Sequence, residues 1–101
     1  MTVTAMRMDP SEYDSRRIYY LLMSSVTPRP IAWISTLSPD GIANLAPFSF
    51  YTAVTSKPPL LSVAVSRRRR QRKDTAMNAS TTGEFVVNVV TERHLDAMVQ
   101  T

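Results

Sequence analysis

The chain has 101 residues, 44% of them hydrophobic and 20% charged, which is the length and balance of one soluble globular domain. It has no cysteine, excluding disulfides, thiolate metal sites and a cysteine nucleophile, and no run long and apolar enough for a signal peptide or a transmembrane helix. The net charge of +4 has one source: six of the seven residues from Arg67 to Lys73 are basic, and the remainder carries six basic residues against eight acidic ones.

The first few residues are expected to fray. Asp9-Pro10-Ser11-Glu12 reads as a helix start, with an acceptor side chain, a first-turn proline and an acidic residue near the positive dipole end. The helix is predicted to run to about Met23, and Pro28 and Pro30 impose extended backbone beyond it. Ile31 to Thr36 then alternate: Ile31, Trp33 and Ser35 face one way, Ala32, Ile34 and Thr36 the other, the period of a strand. Ser38-Pro39-Asp40-Gly41 supplies turn chemistry. A returning strand, Ile42 to Phe50, contains Pro47, which cannot donate a ladder hydrogen bond and so marks an edge or a bulge.

Thr52 to Pro59 reads as a connection made rigid by Lys57-Pro58-Pro59. Leu60 to Ser66 is nearly continuous in apolar character and is expected to be a buried, central strand. After the basic run, a short helix starts at Asp74, with Asp74 or Thr75 as N-cap and Gly83 as terminator. Glu84 to Val90 is a fourth strand, and Thr91-Glu92 opens a last helix. The predicted order is α, β, β, β, α, β, α. Four strands are too few to close a barrel, and an open sheet leaves an edge exposed.

The usual catalytic constellations are missing. His94 is the single histidine and reads as a surface residue, since a site needs partners. The sequence has no paired-carboxylate motif, no Walker loop and no dinucleotide fingerprint. An enzyme of this composition would take its hard chemistry from a cofactor. Two features remain. The interrupted strand between Asn44 and Ser49 reads equally as a plain edge strand or as a platform for a flat ligand. The basic run has three readings: a solvated loop, a small-molecule phosphate site, or a nucleic-acid contact through Arg67–Lys73. The last is weakened because no aromatic residue is interleaved for base stacking. Lys73-Asp74-Thr75 stands at a helix start, where backbone N–H groups and the dipole favour an anion. A ring on the strand and a phosphate at the helix start are the two parts of a flavin mononucleotide.

Six segments in order, PRPIAWIST (28–36), PDG (39–41), NLAPFSFY (44–51), PPLLSVAV (58–65), KDT (73–75) and TGEFVVNVV (82–90), resemble the flavin reductase-like, FMN-binding split-barrel proteins. The resemblance covers about Tyr19 to Met98. It implies a mainly β fold with flanking helices, a split β-barrel, here incomplete at the C-terminus, so that residues 1–101 form one truncated FMN-binding domain. It also implies a cytoplasmic homodimer that binds FMN. The activity implied is that of an NAD(P)H:flavin reductase or a flavoprotein oxygenase component, with NAD(P)H as co-substrate. The alternative is a non-catalytic FMN-binding or dimerisation module. By the same resemblance, the backbone from Ala46 through Pro47 and Phe48 to Ser49 lies against the isoalloxazine ring, and Asn44 and Ser49 supply polar contacts. Ser35 or Thr36 reaches the flavin or its ribityl chain. Arg29, Lys73 and Thr75 lie on the phosphate side, with Asp74 fixing the turn. Three departures stand out: family members generally continue past this length, the arginine run is more basic than usual, and Met77 and Ala79-Ser80 occupy positions where an R-N-I pattern is expected.

Overall fold

Alternation decides the centre of the molecule. In the structure, a computed structural model that describes residues 4–101, strand β1 (Ala32–Leu37) lies between β2 (Ala43–Phe48) and β5 (Val86–Val89) in an antiparallel sheet of order β2-β1-β5. Ala32, Ile34 and Thr36 point to its buried side, the face set by their period of two. Register places Ala32 opposite Phe48, Ile34 opposite Ala46 and Thr36 opposite Asn44 on β2, and Ile34 opposite Val87 on β5. Directly opposed residues share a face, so one side of the sheet carries an apolar patch ending in a polar pair. Ala32, Ile34 and Phe48 are the buried core, with Ala46, Tyr51, Val63, Val65 and Val87 packed against them. Ile34, at 1% exposure, contributes about 1.5–3 kcal/mol by its burial.

The β1–β2 turn follows its chemistry: Gly41 takes φ 83° and its N–H donates to the Ser38 carbonyl at 2.9 Å. Pro47 sits opposite Trp33 on β2, an outer strand of the sheet, where a missing N–H is tolerated.

Helix α2 (Asp74–Thr82) packs on the inner face of the sheet. Thr75 and Asn78, three residues apart and so on one helix face, are both buried. Asn78 Nδ2 donates to Thr36 Oγ1 at 3.1 Å, and Asn44 Nδ2 donates to Thr75 Oγ1 at 3.1 Å. Each buried polar group thereby finds a partner, as burial requires. Gly83 ends the helix in the left-handed region at φ 76°.

The structure corrects four expectations. The N-terminal helix is two pieces: Asp9 caps a 3-10 turn at Pro10–Glu12, and Asp14 caps helix α1 (Ser15–Ser25) by accepting from the Arg17 N–H at 2.8 Å. The two Ser11 hydrogen bonds, from side chain and backbone, hold the Asp9 carboxyl below its ordinary range. Second, Tyr51–Ser56 is a strand, β3, not a connection. It pairs antiparallel with β4 (Pro59–Val63), with a register shift between Ala53 and Thr55. The chain therefore has five strands among the described residues. Third, β4 is neither central nor buried: it belongs to a two-stranded sheet and Leu61 is 51% exposed. Fourth, α2 has Lys73 at its N-cap, with no side-chain cap bond from Asp74 or Thr75. The last segment is a 3-10 turn at Glu92–His94 followed by the short helix α3 (Leu95–Val99), and His94 Nδ1 lies 2.9 Å from Thr91 Oγ1. The expectation of fraying at positions 1–3 falls outside the described residues.

The described residues form no closed barrel. The radius of gyration is 16.8 Å, against about 13 Å for a compact domain of this length. Large apolar side chains lie bare on β3, β4 and β5, including Val54, Leu60, Val86 and, at 80% exposure, Val89. Among the described residues no helix is long and apolar enough to cross a membrane.

Candidate functional site

A cleft of about 740 Å³ opens between the outer strand β2 and the start of α2. Asn44, Ala46, Pro47 and Phe48 form one wall; Lys73, Asp74 and Thr75 form the other. The fold explains the meeting. The polar end of the sheet's inner face needs partners, α2 supplies them through Thr75 and Asn78, and so the helix N-terminus is pinned beside β2.

The helix start is suited to an anion. Its first N–H groups have no intrahelical acceptor, and no side chain caps them. The dipole adds partial positive charge there. Lys73 brings a full one, its ammonium lying 5.7 Å from the Phe48 ring centroid, within cation–π range. Thr75 accepts from Asn44, which leaves its hydroxyl proton free to donate.

Seven of the eleven residues singled out in the sequence thus share one cleft. The other four stand elsewhere. Thr36 is buried and takes the Asn78 bond. Ser35 accepts from Asn88 Nδ2 at 3.2 Å, and that amide also donates to the Trp33 carbonyl at 2.9 Å. Arg29 is outside the cleft lining: its guanidinium donates to the Met23 carbonyl at 2.6 Å and to the Val26 carbonyl, and its Nε lies 3.4 Å from Ser49 Oγ. Arg29 also covers the Phe50 ring at 5.4 Å. Arg29 and Ser49 therefore tie the end of α1 to the end of β2.

Sequence reasoning missed part of the lining. Arg68, Arg69, Gln71 and Arg72 complete one side, and Thr101 touches the cleft from the last turn. The arginine run folds back as a tight hairpin: Arg68 and Gln71 exchange backbone hydrogen bonds at 2.9 Å in both directions. Its two tip residues, Arg69 and Arg70, have φ 51° and 66°. Two-residue turns of this kind favour Asn-Gly, and a left-handed residue with a Cβ costs about 1–2 kcal/mol. The run of basic residues was visible in the sequence; the turn was not, because its tip lacks glycine and asparagine. Among the described residues, no group of three or more histidines, cysteines or carboxylates is arranged to hold a metal.

Comparison with known proteins gives a consistent result. The model of the flavin reductase like domain matches residues 23–101. An uncharacterized protein of Aquifex aeolicus is 47% identical over 91 residues, covering 89% of this chain and 46% of the relative. The uncharacterized protein YwrF of Bacillus subtilis is 48% identical over 90 residues, covering 89% and 44%. Nitrilotriacetate monooxygenase component B from Bacillus cereus superposes with a TM-score of 0.91 at 37% identity, covering 97% of this chain and 48% of that structure. The 2-nitrobenzoate 2-nitroreductase NbaA of Pseudomonas fluorescens superposes at 0.84 with 36% identity, covering 93% and 45%. The chain spans about half the length of the relatives it matches.

Proposed function

Since the chain belongs to the flavin reductase-like family, we propose that its cleft holds FMN and that the protein is an oxidoreductase of the NAD(P)H:flavin reductase or flavoprotein oxygenase type. The observation that carries this reading is the convergence of an uncapped helix start, Lys73 and Thr75 with a proline-interrupted outer strand in one cleft. The donor set fits the cofactor. Backbone N–H groups, a hydroxyl and an ammonium are what a phosphate takes. The strand from Ala46 to Phe48 offers backbone and apolar surface to a flat ring.

When bound, the flavin would supply hydride exchange with reduced nicotinamide. The chain's own residues bind and orient. Lys73 and the α2 N-terminus would neutralise the phosphate, Asn44 fixes the Thr75 hydroxyl, and the Phe48 ring beside the Lys73 ammonium helps to orient it. No residue of the cleft need act as acid or base, since alignment governs such a transfer. The bare apolar surface of β3, β4 and β5 supports a homodimer, because patches of that kind mark interaction sites. A cytoplasmic location, with access to reduced nicotinamide, completes the reading.

Titration of the purified chain with riboflavin and FMN, followed by NADH and NADPH oxidation, tests the proposal. Lys73→Ala with Thr75→Ala should weaken FMN binding about ten-fold or more, the scale of lost charge-assisted hydrogen bonds, and riboflavin binding far less. Equal loss for both ligands overturns the phosphate role. Flavin retention without nicotinamide oxidation supports the non-catalytic module instead, and failure to retain any flavin at micromolar concentration ends both readings.

A further inference from the structure

The central sheet has a second face, turned away from its core. Alternation puts Trp33 and Ser35 there, opposite in direction to the buried Ala32, Ile34 and Thr36. Register sets Trp33 across from Asn88 on β5 and Ser35 across from Leu45 on β2, and directly opposed residues share a face. These four, with Val87 and with His94 from the 3-10 turn, line a pocket of about 610 Å³, a size usual for small-molecule sites. The pocket shares no lining residue with the cleft between β2 and α2.

The hydrogen bonds within it decide which polar atoms are left for a ligand. Asn88 Nδ2 donates to the Trp33 carbonyl at 2.9 Å and to Ser35 Oγ at 3.2 Å, so both amide hydrogens are used and Oδ1 remains as an acceptor. Ser35 accepts in that bond and keeps its hydroxyl proton to donate. The Thr91 N–H donates to His94 Nδ1 at 3.3 Å, which places the proton of a neutral imidazole on Nε2, a second donor. Trp33 Nε1 donates to Thr101 Oγ1 at 3.1 Å; its polar end is thereby satisfied and the indole is held. The Trp33 and His94 rings, with centroids 6.0 Å apart and planes inclined by 48°, add aromatic surface. Among the described residues that line the pocket, none is an aspartate, glutamate, lysine or arginine.

We propose that this pocket is a second binding site, for an uncharged aromatic ring carrying one group that both accepts and donates hydrogen bonds, such as a carboxamide. The indole wall favours a flat ring. Ser35 and His94 donate to the carboxamide oxygen, and Asn88 Oδ1 accepts from its nitrogen. A charged ligand is disfavoured, because the lining offers it no fixed charge of opposite sign and burial of an unpaired charge is costly. The site does not depend on the flavin reading.

The intact chain is titrated with benzamide, benzoate and cyclohexanecarboxamide, and binding is followed by ligand-observed NMR. Trp33, the single tryptophan, reports location through its fluorescence. Benzamide should saturate at about millimolar concentration, the scale open to so small a ligand, and should change the Trp33 emission. Benzoate, which has the ring but a charge, and cyclohexanecarboxamide, which has the amide but no aromatic face, should each bind at least five-fold more weakly. Ser35→Ala removes one donor outside the buried core, and Asn88 keeps its bond to the Trp33 carbonyl. It should weaken benzamide about three- to ten-fold, the scale of one hydrogen bond. Trp33→Leu should bring benzamide and cyclohexanecarboxamide to equal affinity; if circular dichroism shows that variant unfolded, Ser35→Ala carries the test. The Lys73→Ala, Thr75→Ala protein should bind benzamide as the unsubstituted chain does. Absence of saturable benzamide binding, benzoate binding as tight as benzamide, or an affinity that Ser35→Ala leaves unmoved overturns the proposal. Loss of benzamide in the Lys73→Ala, Thr75→Ala protein also overturns it, because the ligand then sits in the other cleft. Failure to retain flavin with these benzamide results intact rejects the flavin reading and keeps this site.

Discussion

The β2-β1-β5 sheet and the β3–β4 hairpin are built from similar residues and meet opposite fates. On β1, Ala32, Ile34 and Thr36 are buried beneath α2 between two paired strands. On the hairpin, Val54, Leu60 and Leu61 are exposed. The hairpin joins the core only at its base, where Tyr51, Val63 and Val65 pack on it and the Ala64 N–H donates to the Phe50 carbonyl at 2.8 Å. Apolar composition alone makes no core: it needs layers on both sides. A two-stranded hairpin standing alone is marginal in water, so this one depends on what its faces touch.

The largest effect is expected at the centre of the first region. Ile34→Ala should cost about 2–5 kcal/mol through lost burial and a cavity, a large share of what a domain of this size has. Leu61→Ala, at a half-exposed position, should cost well under half as much. Urea unfolding followed by circular dichroism measures both. Equal losses would erase the distinction between the regions.

The next effect concerns the polar clasp that fixes α2 and with it the cleft. Asn78→Ala leaves the buried Thr36 hydroxyl without its donor and should cost about 1–3 kcal/mol. Thr36→Val combined with Asn78→Leu removes both partners and should recover part of that loss. A double-mutant cycle reads the coupling directly. A coupling near zero would mean that the two side chains only fill space.

The same contrast explains what was legible in the residues. The alternation of β1 could be read because burial on one face enforces it. The β1–β2 turn and the Gly83 stop could be read because each needs a residue with positive φ. Strand β3 was missed for the opposite reason. From Thr52 to Ser56 neither face is buried, so nothing imposes an apolar period, and Lys57-Pro58-Pro59 imitates a linker. The nearly continuous apolar run from Leu60 to Ser66 pointed to a strand covered on both faces, while the chain itself leaves β4 largely bare. In the site, the KDT helix start and the Asn44–Phe48 strand were visible as separate motifs. Their bridge, Asn44 to Thr75, spans 31 residues and has no local signature. Asp9-Pro10-Ser11-Glu12 carries the local signs of a helix start, yet it opens only a 3-10 turn, and the α-helix begins after Asp14; the local signs do not tell the two helix types apart.

The smallest effect on folding should accompany the clearest effect on assembly. Leu60 and Leu61 are exposed on β4, so Leu60→Asp or Leu61→Asp should change the stability of a single chain by about 0.5 kcal/mol or less. If the hairpin face is the contact of a homodimer, the same carboxylate is buried there without a partner, which costs several kcal/mol per interface. Sedimentation should then show the mass fall from two chains to one, with the far-ultraviolet spectrum unchanged. A dimer that persists in both variants moves the contact away from this hairpin. Val89→Asp, on the outer strand β5, is the matching probe, because an exposed apolar edge invites pairing and a charge there blocks it. Loss of the dimer in the hairpin variants alone assigns the interface to β3–β4, and loss in Val89→Asp alone assigns it to the edge of the first sheet.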